Sequence, residues 1–360
     1  MMRPRARLQF TTTVLAAALS LGLGSLSGCS LGGGDDAAED HEGHEVVLVT
    51  HESFHLPEEL VAQWERETGH ALVVRAAGDA GSLTNKLVLT KDNPTGDVVF
   101  GIDNTFASRA LDEGVFAPYT PADRPAGVER FDLPDDAGRT LTPVDNASVC
   151  VNVDTTWFAD KGIAVPTTLD DLVKPAYRDL FVTPGAATSS PGMAFLLATI
   201  AEYGEAWPDY WTRLIGNGAK LTEGWSDAYE VDFTQGGGEG ARPIVLSYDS
   251  SPAFTLAEDG SSTTAALLDT CFRQVEYAGV LAGAENPAGA KKLVDFLLSP
   301  EVQAALPESM YVFPVAADTP LPEDWARHAV QPTAPLSVAP EQIDANRDAW
   351  LREWSDLTTR

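Results

Sequence analysis

Between residues 46 and 114 the chain repeats one arrangement three times: a short apolar run, a polar exit and a helix. Val46-Val47-Leu48-Val49-Thr50 reads as a buried strand and His51-Glu52-Ser53-Phe54-His55 as the loop after it. Pro57 then opens a helix over 58–68, with acids in its first turn, Leu60, Val61 and Trp64 on one face and Gly69 as its stop. A strand over 71–76 leads through Gly78-Asp79-Ala80-Gly81-Ser82 into a helix ending at Leu89, with Ser82 as the expected N-cap. A third strand over 97–102 is followed by Asp103-Asn104, which opens a helix stopping at Gly114. Strands joined through helices run parallel, so this block is an α/β unit. Ligands of such sheets sit beyond the carboxyl ends of the strands. Here those ends carry Glu52, Ser82, Asp103 and Asn104.

A second α/β unit follows the irregular, proline-rich stretch 115–144. A strand over 147–153 is expected to cross between lobes, and 167–173 caps and starts a helix. After a strand at 180–182 come Thr188-Ser189-Ser190-Pro191-Gly192 and a helix over 191–203, with Ser190 as N-cap. Free N–H groups at such a start suit an anion. A helix over 205–215 and a strand over 219–222 lead to Trp225, a short helix from 226 and a flexible turn at 235–240. A strand over 244–247 exits through Tyr248-Asp249-Ser250-Ser251 into a helix over 252–257 that holds Phe254. The strand over 271–280 returns to the first lobe, and a helix from Pro287 places Ala290, Leu293, Val294, Leu297 and Leu298 on one face. The tail carries Ile343, Trp350, Trp354 and Leu357 at helical spacing, as a final helix laid on a core. The reading is two lobes: 46–145 and 275–360, with its terminal helix, form the first, and 146–274 the second.

A chain of 360 residues has room for two cores. Arg3, Arg5 and Arg7 precede an apolar run over 10–26, and Leu26-Ser27-Gly28-Cys29 resembles the bacterial lipobox. Residues 1–28 are therefore expected to be a signal peptide, Cys29 a lipidated N-terminus and 29–45 a disordered acidic tether. The remaining cysteines, Cys150 and Cys271, then lie where oxidation is permitted. Whether they are bonded depends on their Cα atoms lying within about 7 Å. The net charge of −29 repels nucleic acid and anionic membranes. No G-x-S-x-G, P-loop or C-x-x-C run occurs, and Pro57 closely follows His51 and His55, so that pair is not expected on one helix face. The residues therefore point to a binding protein with no catalytic group, cofactor or metal.

Several runs, by their order and spacing over about residues 46–356, resemble the thiamine-binding proteins of ABC importers, which are type II periplasmic binding proteins. They are Gly81-Ser82-Leu83-Thr84-Asn85-Lys86-Leu87, Gly101-Ile102-Asp103-Asn104, Thr188 to Gly192, Gly224-Trp225-Ser226-Asp227-Ala228-Tyr229, Leu246-Ser247-Tyr248 with Ser251-Pro252-Ala253-Phe254, and Gln274-Val275-Glu276. The resemblance implies a two-lobed fold that closes about hinge strands near 145–151 and 273–279 on thiamine or its mono- or diphosphate. It implies that Trp225, Tyr248, Phe254 and Tyr311 line the cleft, although Phe254 stands where tyrosine is usual and Tyr311 where tryptophan is usual. Ser189 and Ser190 match the region contacting the hydroxyethyl or phosphate end, and Glu52 falls where aspartate is common. A thiazolium cation is drawn to aromatic faces and carboxylates, for which Glu52, Asp103 and Asp249 are candidates. The implied partners are an ABC permease and its ATPase subunit, met by a monomeric, lipid-anchored receptor outside the cytoplasm. The alternative is the same fold holding a polyamine, phosphonate, sugar or iron(III), the last disfavoured by the lack of a Tyr-Tyr pair.

Overall fold

The computed structural model describes residues 45–134 and 136–359, and its apolar runs pair into one nine-stranded sheet. The strands are β1 (Glu45–Thr50), β2 (Ala71–Ala76), β3 (Val98–Asp103), β4 (Leu141–Asp154), β5 (Phe181–Pro184), β6 (Lys220–Thr222), β7 (Ile244–Tyr248), β8 (Thr264–Val280) and β9 (Phe313–Pro314). Their order is β2-β1-β3-β8-β4-β7-β5-β6, with β9 beside β4. The helix-connected strands pair in parallel at both ends, as β2-β1-β3 and as β7-β5-β6. The long strands β4 and β8 are antiparallel to each other and to their outer neighbours, and they carry the sheet from one lobe into the other. The expected leader, tether and Cys29 lie outside the described residues.

The interiors of β1 and β3, 46–49 and 98–100, are continuously apolar because both faces of the sheet are covered. Leu48, Val98 and Phe100 pack with Trp64, Leu293 and Leu297, whereas Val49, Val99 and Ile102 pack with Leu83 and Leu87 of the helix Ala80–Leu89. The second lobe has its own core around the helix Ser190–Tyr203, including Phe195, Trp211, Phe158 and Leu246. Each such side chain, fully buried, contributes about 1.5–3 kcal/mol of transfer free energy.

Several expectations shift. Asp79, not Ser82, is the N-cap of Ala80–Leu89, its carboxylate accepting from Ala80 N at 2.6 Å. Ser189, not Ser190, occupies the N-cap position of Ser190–Tyr203. Asp103 closes β3, and the next helix begins only at Ala107 and ends at Asp112. The helix expected over 252–257 shrinks to one 3₁₀ turn, Ser251–Ala253. A helix absent from the sequence reading, Thr155–Lys161, is capped by Asp154, which accepts from Trp157 N. The terminal helix Pro340–Thr358 packs chiefly on the second lobe and touches the first through Arg347, which donates to Phe106 O and Ser108 Oγ. Its Ile343 and Trp354 belong to the second lobe's core, with the Trp354 ring edge-on to Trp211 at 5.6 Å. The helical spacing was enough to find that buried stripe but carried no information on which core receives it.

A disulfide joins Cys150 of β4 to Cys271 of β8, with Cα atoms 4.2 Å apart. The lobes also approach closely at Gly81, where an added Cβ would come within 2.7 Å of Ala187 O and of the Thr188 carbonyl carbon. Nearby, Ser82 N donates to Thr188 O across the gap. The lobes are therefore in contact at this edge, as in a closed receptor.

Candidate functional site

The closed lobes enclose a cavity of about 350 Å³ beyond the carboxyl ends of the strands. One wall comes from the second lobe. Trp225 stacks on Tyr229 at 4.9 Å with 13° between the ring planes, and lies 6.0 Å from Tyr248 and 5.8 Å from Tyr311. Trp225 is anchored by its indole N–H, which donates to Ser247 Oγ at 3.0 Å. Ser247 in turn meets Ser251 Oγ at 2.8 Å, and Tyr248 N donates to the same Ser251 hydroxyl. The segment Asp227–Asp232 is a π-helical turn, a form that recurs at functional sites, and it aligns Tyr229 under Trp225. Tyr311 ends the helix Pro300–Met310 in the left-handed region at φ 64°, and Ser250 Oγ donates to its carbonyl at 2.5 Å. A non-glycine residue held there needs surrounding contacts to keep it.

The opposite wall is acidic. Glu52 follows His51 at the end of β1, and burial followed by the charges of Asp79, Asp227, Glu223 and Glu230 pushes its carboxyl above the usual range. Asp79 reaches across the gap: its carboxylate accepts from Trp225 N at 3.0 Å and from Ser190 N at 3.4 Å. The helix start that the sequence suggested for an external anion is thus already met by an internal one. His51 Nε2 lies 3.6 Å from Glu276 Oε1 at the floor.

Glu276 has carboxylates on both sides. Asp103 is opposite it on β3 and Asp145 opposite it on β4, so three acids stand in a row across adjacent strands. Bulges between Phe100 and Ile102 on β3 and between Pro143 and Asp145 on β4 set this register. Gly101 makes the β3 bulge, at φ +92°, and any Cβ there would overlap the His51 ring. All three acids are buried. Burial pushes Asp103 up to about 6, against hydrogen bonds from Thr105, from Phe106 N and from the Ser190 hydroxyl. Burial holds Asp145 and Glu276 well above the carboxylate range, and for Glu276 the neighbouring charges add to the effect. Burial takes the His51 imidazole the other way, down to about 4. No Lys or Arg lines the cavity among the described residues.

The structure brings Trp225, Tyr248, Tyr311, Ser190 and Glu52 to the cavity as expected. It does not bring the other expected residues to the lining. Phe254 stacks behind Tyr311 at 3.8 Å and edge-on to Trp325, so it supports the wall instead of facing the space. Ser189 is fully buried at the helix start with an unpartnered hydroxyl, and Ser82 sits inside its helix. Asp103 lies beside Glu276, out of the lining. Asn104 spends its amide on the backbone of Arg273 and Val275. Asp249 is buried past β7 and pushed up to about 7 by burial, against hydrogen bonds from Ser148. Sequence reasoning missed Asp79, Glu230 and Glu276 as lining residues. An acid between apolar neighbours in β8 was the available signal for Glu276. His51-Glu52-Ser53-Phe54-His55 also spells H-E-x-x-H, the pattern of metalloprotease helices. It forms no helix here, and among the described residues no three His, Cys, Asp or Glu side chains are grouped to hold a metal ion.

Residues 93–333 match the family described as bacterial extracellular solute-binding protein. The thiamine-binding periplasmic protein of Salmonella typhimurium is 30% identical over 299 residues, covering 82% of this chain and 87% of that protein. The protein of the same name from Brucella melitensis is 29% identical over 335 residues, covering 88% and 92%. A solved periplasmic thiamin binding protein superposes with a TM-score of 0.76 at 28% identity, covering 88% of this chain and 96% of the other.

Proposed function

The chain belongs to the bacterial extracellular solute-binding proteins, and from that premise we propose that its cavity captures thiamine for an ABC importer. The observation that carries this reading is the lining: the aromatic rings of Trp225, Tyr248 and Tyr311 share it with Glu52, Asp79, Glu230 and Glu276, without a Lys or Arg among the described residues. Thiamine joins a flat aminopyrimidine to a permanently cationic thiazolium. The rings suit the aromatic faces, and the cation suits carboxylates that lack a counter-charge. The volume accommodates a ligand of that size. Because Asp79 already occupies the helix start at Ser190, the lining favours free thiamine over its diphosphate. Binding, closure and hand-over to a permease complete the cycle, and no bond is made or broken. A lipid on Cys29 would hold the monomeric receptor at the outer face of the cell membrane.

Calorimetric titration with thiamine, its mono- and diphosphate, spermidine and iron(III) tests the reading. Thiamine is expected to bind saturably and the diphosphate more weakly. Tight binding of spermidine or iron(III), with no saturable thiamine binding, would sink it.

A further inference from the structure

A second cavity, of about 680 Å³, lies behind the β4–β8 ladder and shares no lining residue with the first. Successive side chains on a strand face opposite ways. Asp145 and Glu276 belong to the thiamine-cleft side, and Asn146 and Arg273 therefore face the other. Arg130 and Phe131 from the proline-rich crossover, and Phe313 and Gln331 from the tail, complete the walls. Arg273 Nη1 donates to Asn146 Oδ1 at 2.9 Å, an oxygen that also accepts from Gln331 Nε2 at 3.2 Å.

Neither arginine has a carboxylate partner within ion-pair distance among the described residues. Asp132, the acid of the lining, is engaged by Arg124. This is unusual in a chain with 53 acidic and 24 basic side chains. Burial lowers the proton affinity of the Arg273 guanidinium. Asp249, beyond ion-pair distance, partly opposes that, and the charge of Arg130 adds to it. Two cations share one cavity, half walled by apolar surface, and repel each other across it.

We infer that this cavity is a second ligand site, for a small organic anion whose carboxylate or phosphate meets Arg273 and Arg130 and whose apolar body lies against Phe131 and Phe313. Guanidinium groups pair with both anions through parallel N–H donors, and a shared anion relieves the repulsion between them. The occupant touches both strands that join the lobes. Its binding is therefore linked to closure and, reciprocally, to affinity in the front cleft.

The test is calorimetric titration of the full chain, with and without thiamine, using succinate, inorganic phosphate and phenyl phosphate as probes. The expected result is saturable binding of at least one probe, weakened at least tenfold by Arg273→Gln and by Arg130→Gln. Succinate against phosphate identifies the anion class, and phenyl phosphate should bind more tightly than inorganic phosphate. Without thiamine, Trp225→Ala should leave probe binding unchanged; with thiamine, the wild type's probe affinity should shift and that of Trp225→Ala should shift less. Arg130 is exposed, so its variant is expected to unfold at the wild-type temperature. Failure of all three probes to bind the wild type, or equal binding by both arginine variants, would overturn the inference.

Discussion

Glu276 and Asp145 face each other across the β4–β8 ladder, Asp145 fully buried and Glu276 reaching the cavity, and neither is matched by a Lys or Arg. Opposed like charges destabilise a strand pair, and burial adds a desolvation cost to each. The row that includes Asp103 is therefore a place where the folded protein keeps protons.

A pH dependence follows. Asp103 and Asp249, pushed up to about 6 and about 7, hold protons in the folded chain that the unfolded chain has already released, and Asp145 and Glu276 do so more strongly. Their stabilisation is complete below about pH 4 and is lost as pH rises through the folded values. His51, pushed down to about 4, acts in the opposite sense between pH 4 and 6.5. Four carboxyls against one imidazole leave a net loss, on the order of a few kcal/mol. Chemical denaturation of the empty protein at pH 5 and 7.5 should show lower stability at 7.5. Thiamine affinity should move the other way and rise with pH.

Glu276→Gln removes the central charge and keeps the shape. The empty variant should be more stable at pH 7.5 by about 1–3 kcal/mol, because the folded chain no longer has to hold a proton that the unfolded chain has released. Its thiamine affinity should fall at least tenfold. A variant that loses stability while binding normally would assign Glu276 to the scaffold.

Trp225→Ala should weaken thiamine binding by at least about 1 kcal/mol. Trp225→Phe keeps the ring face but drops the donor to Ser247, so its effect should be smaller. Titration calorimetry on the pair separates the two contributions.

Gly81→Val tests closure. Its side chain would strike the Ala187–Thr188 backbone of the other lobe, which cannot yield as a flexible side chain would. Ligand affinity should drop more than tenfold, while the empty, open protein keeps its melting temperature. Small-angle scattering should show the variant failing to contract on adding thiamine.

The Cys150–Cys271 bond spans 121 residues of sequence. Loop entropy for a closure of that length amounts to about 5 kcal/mol, an upper figure for the loss of stability on reduction. Alkylation of unfolded, unreduced protein should label neither cysteine.

The strand and helix sequence of the first lobe was legible because each element carries its own period and punctuation. The helix Glu58–Thr68 and the strand Ala71–Ala76 fall on their expected residues. The aromatic wall was legible through Trp225 and Tyr248 at the exits of strand-like runs. The acid row was not, because it exists only in the register of three strands distant in sequence, and bulges at Gly101 and at Val144 decide that register. Phe254 and Asp249 had the right composition near the right strand end, but side-chain direction separated them from the cavity. The terminal helix was placed on the wrong lobe for the same reason: apolar spacing identifies a face, and only the path of the chain identifies its partner.

That path has a mechanical consequence. After β9 pairs at the ladder, the tail buries Trp325 beside Phe313, bonds Leu336 N to Cys271 O and ends on Trp211 in the second lobe. The lobes are thus tied by three strands of chain, with the third off the line of the other two. Two parallel ties permit both bending and torsion, and a third displaced from them opposes torsion. The tail therefore acts as a third restraint on the lobes, and bending is the relative motion it opposes least.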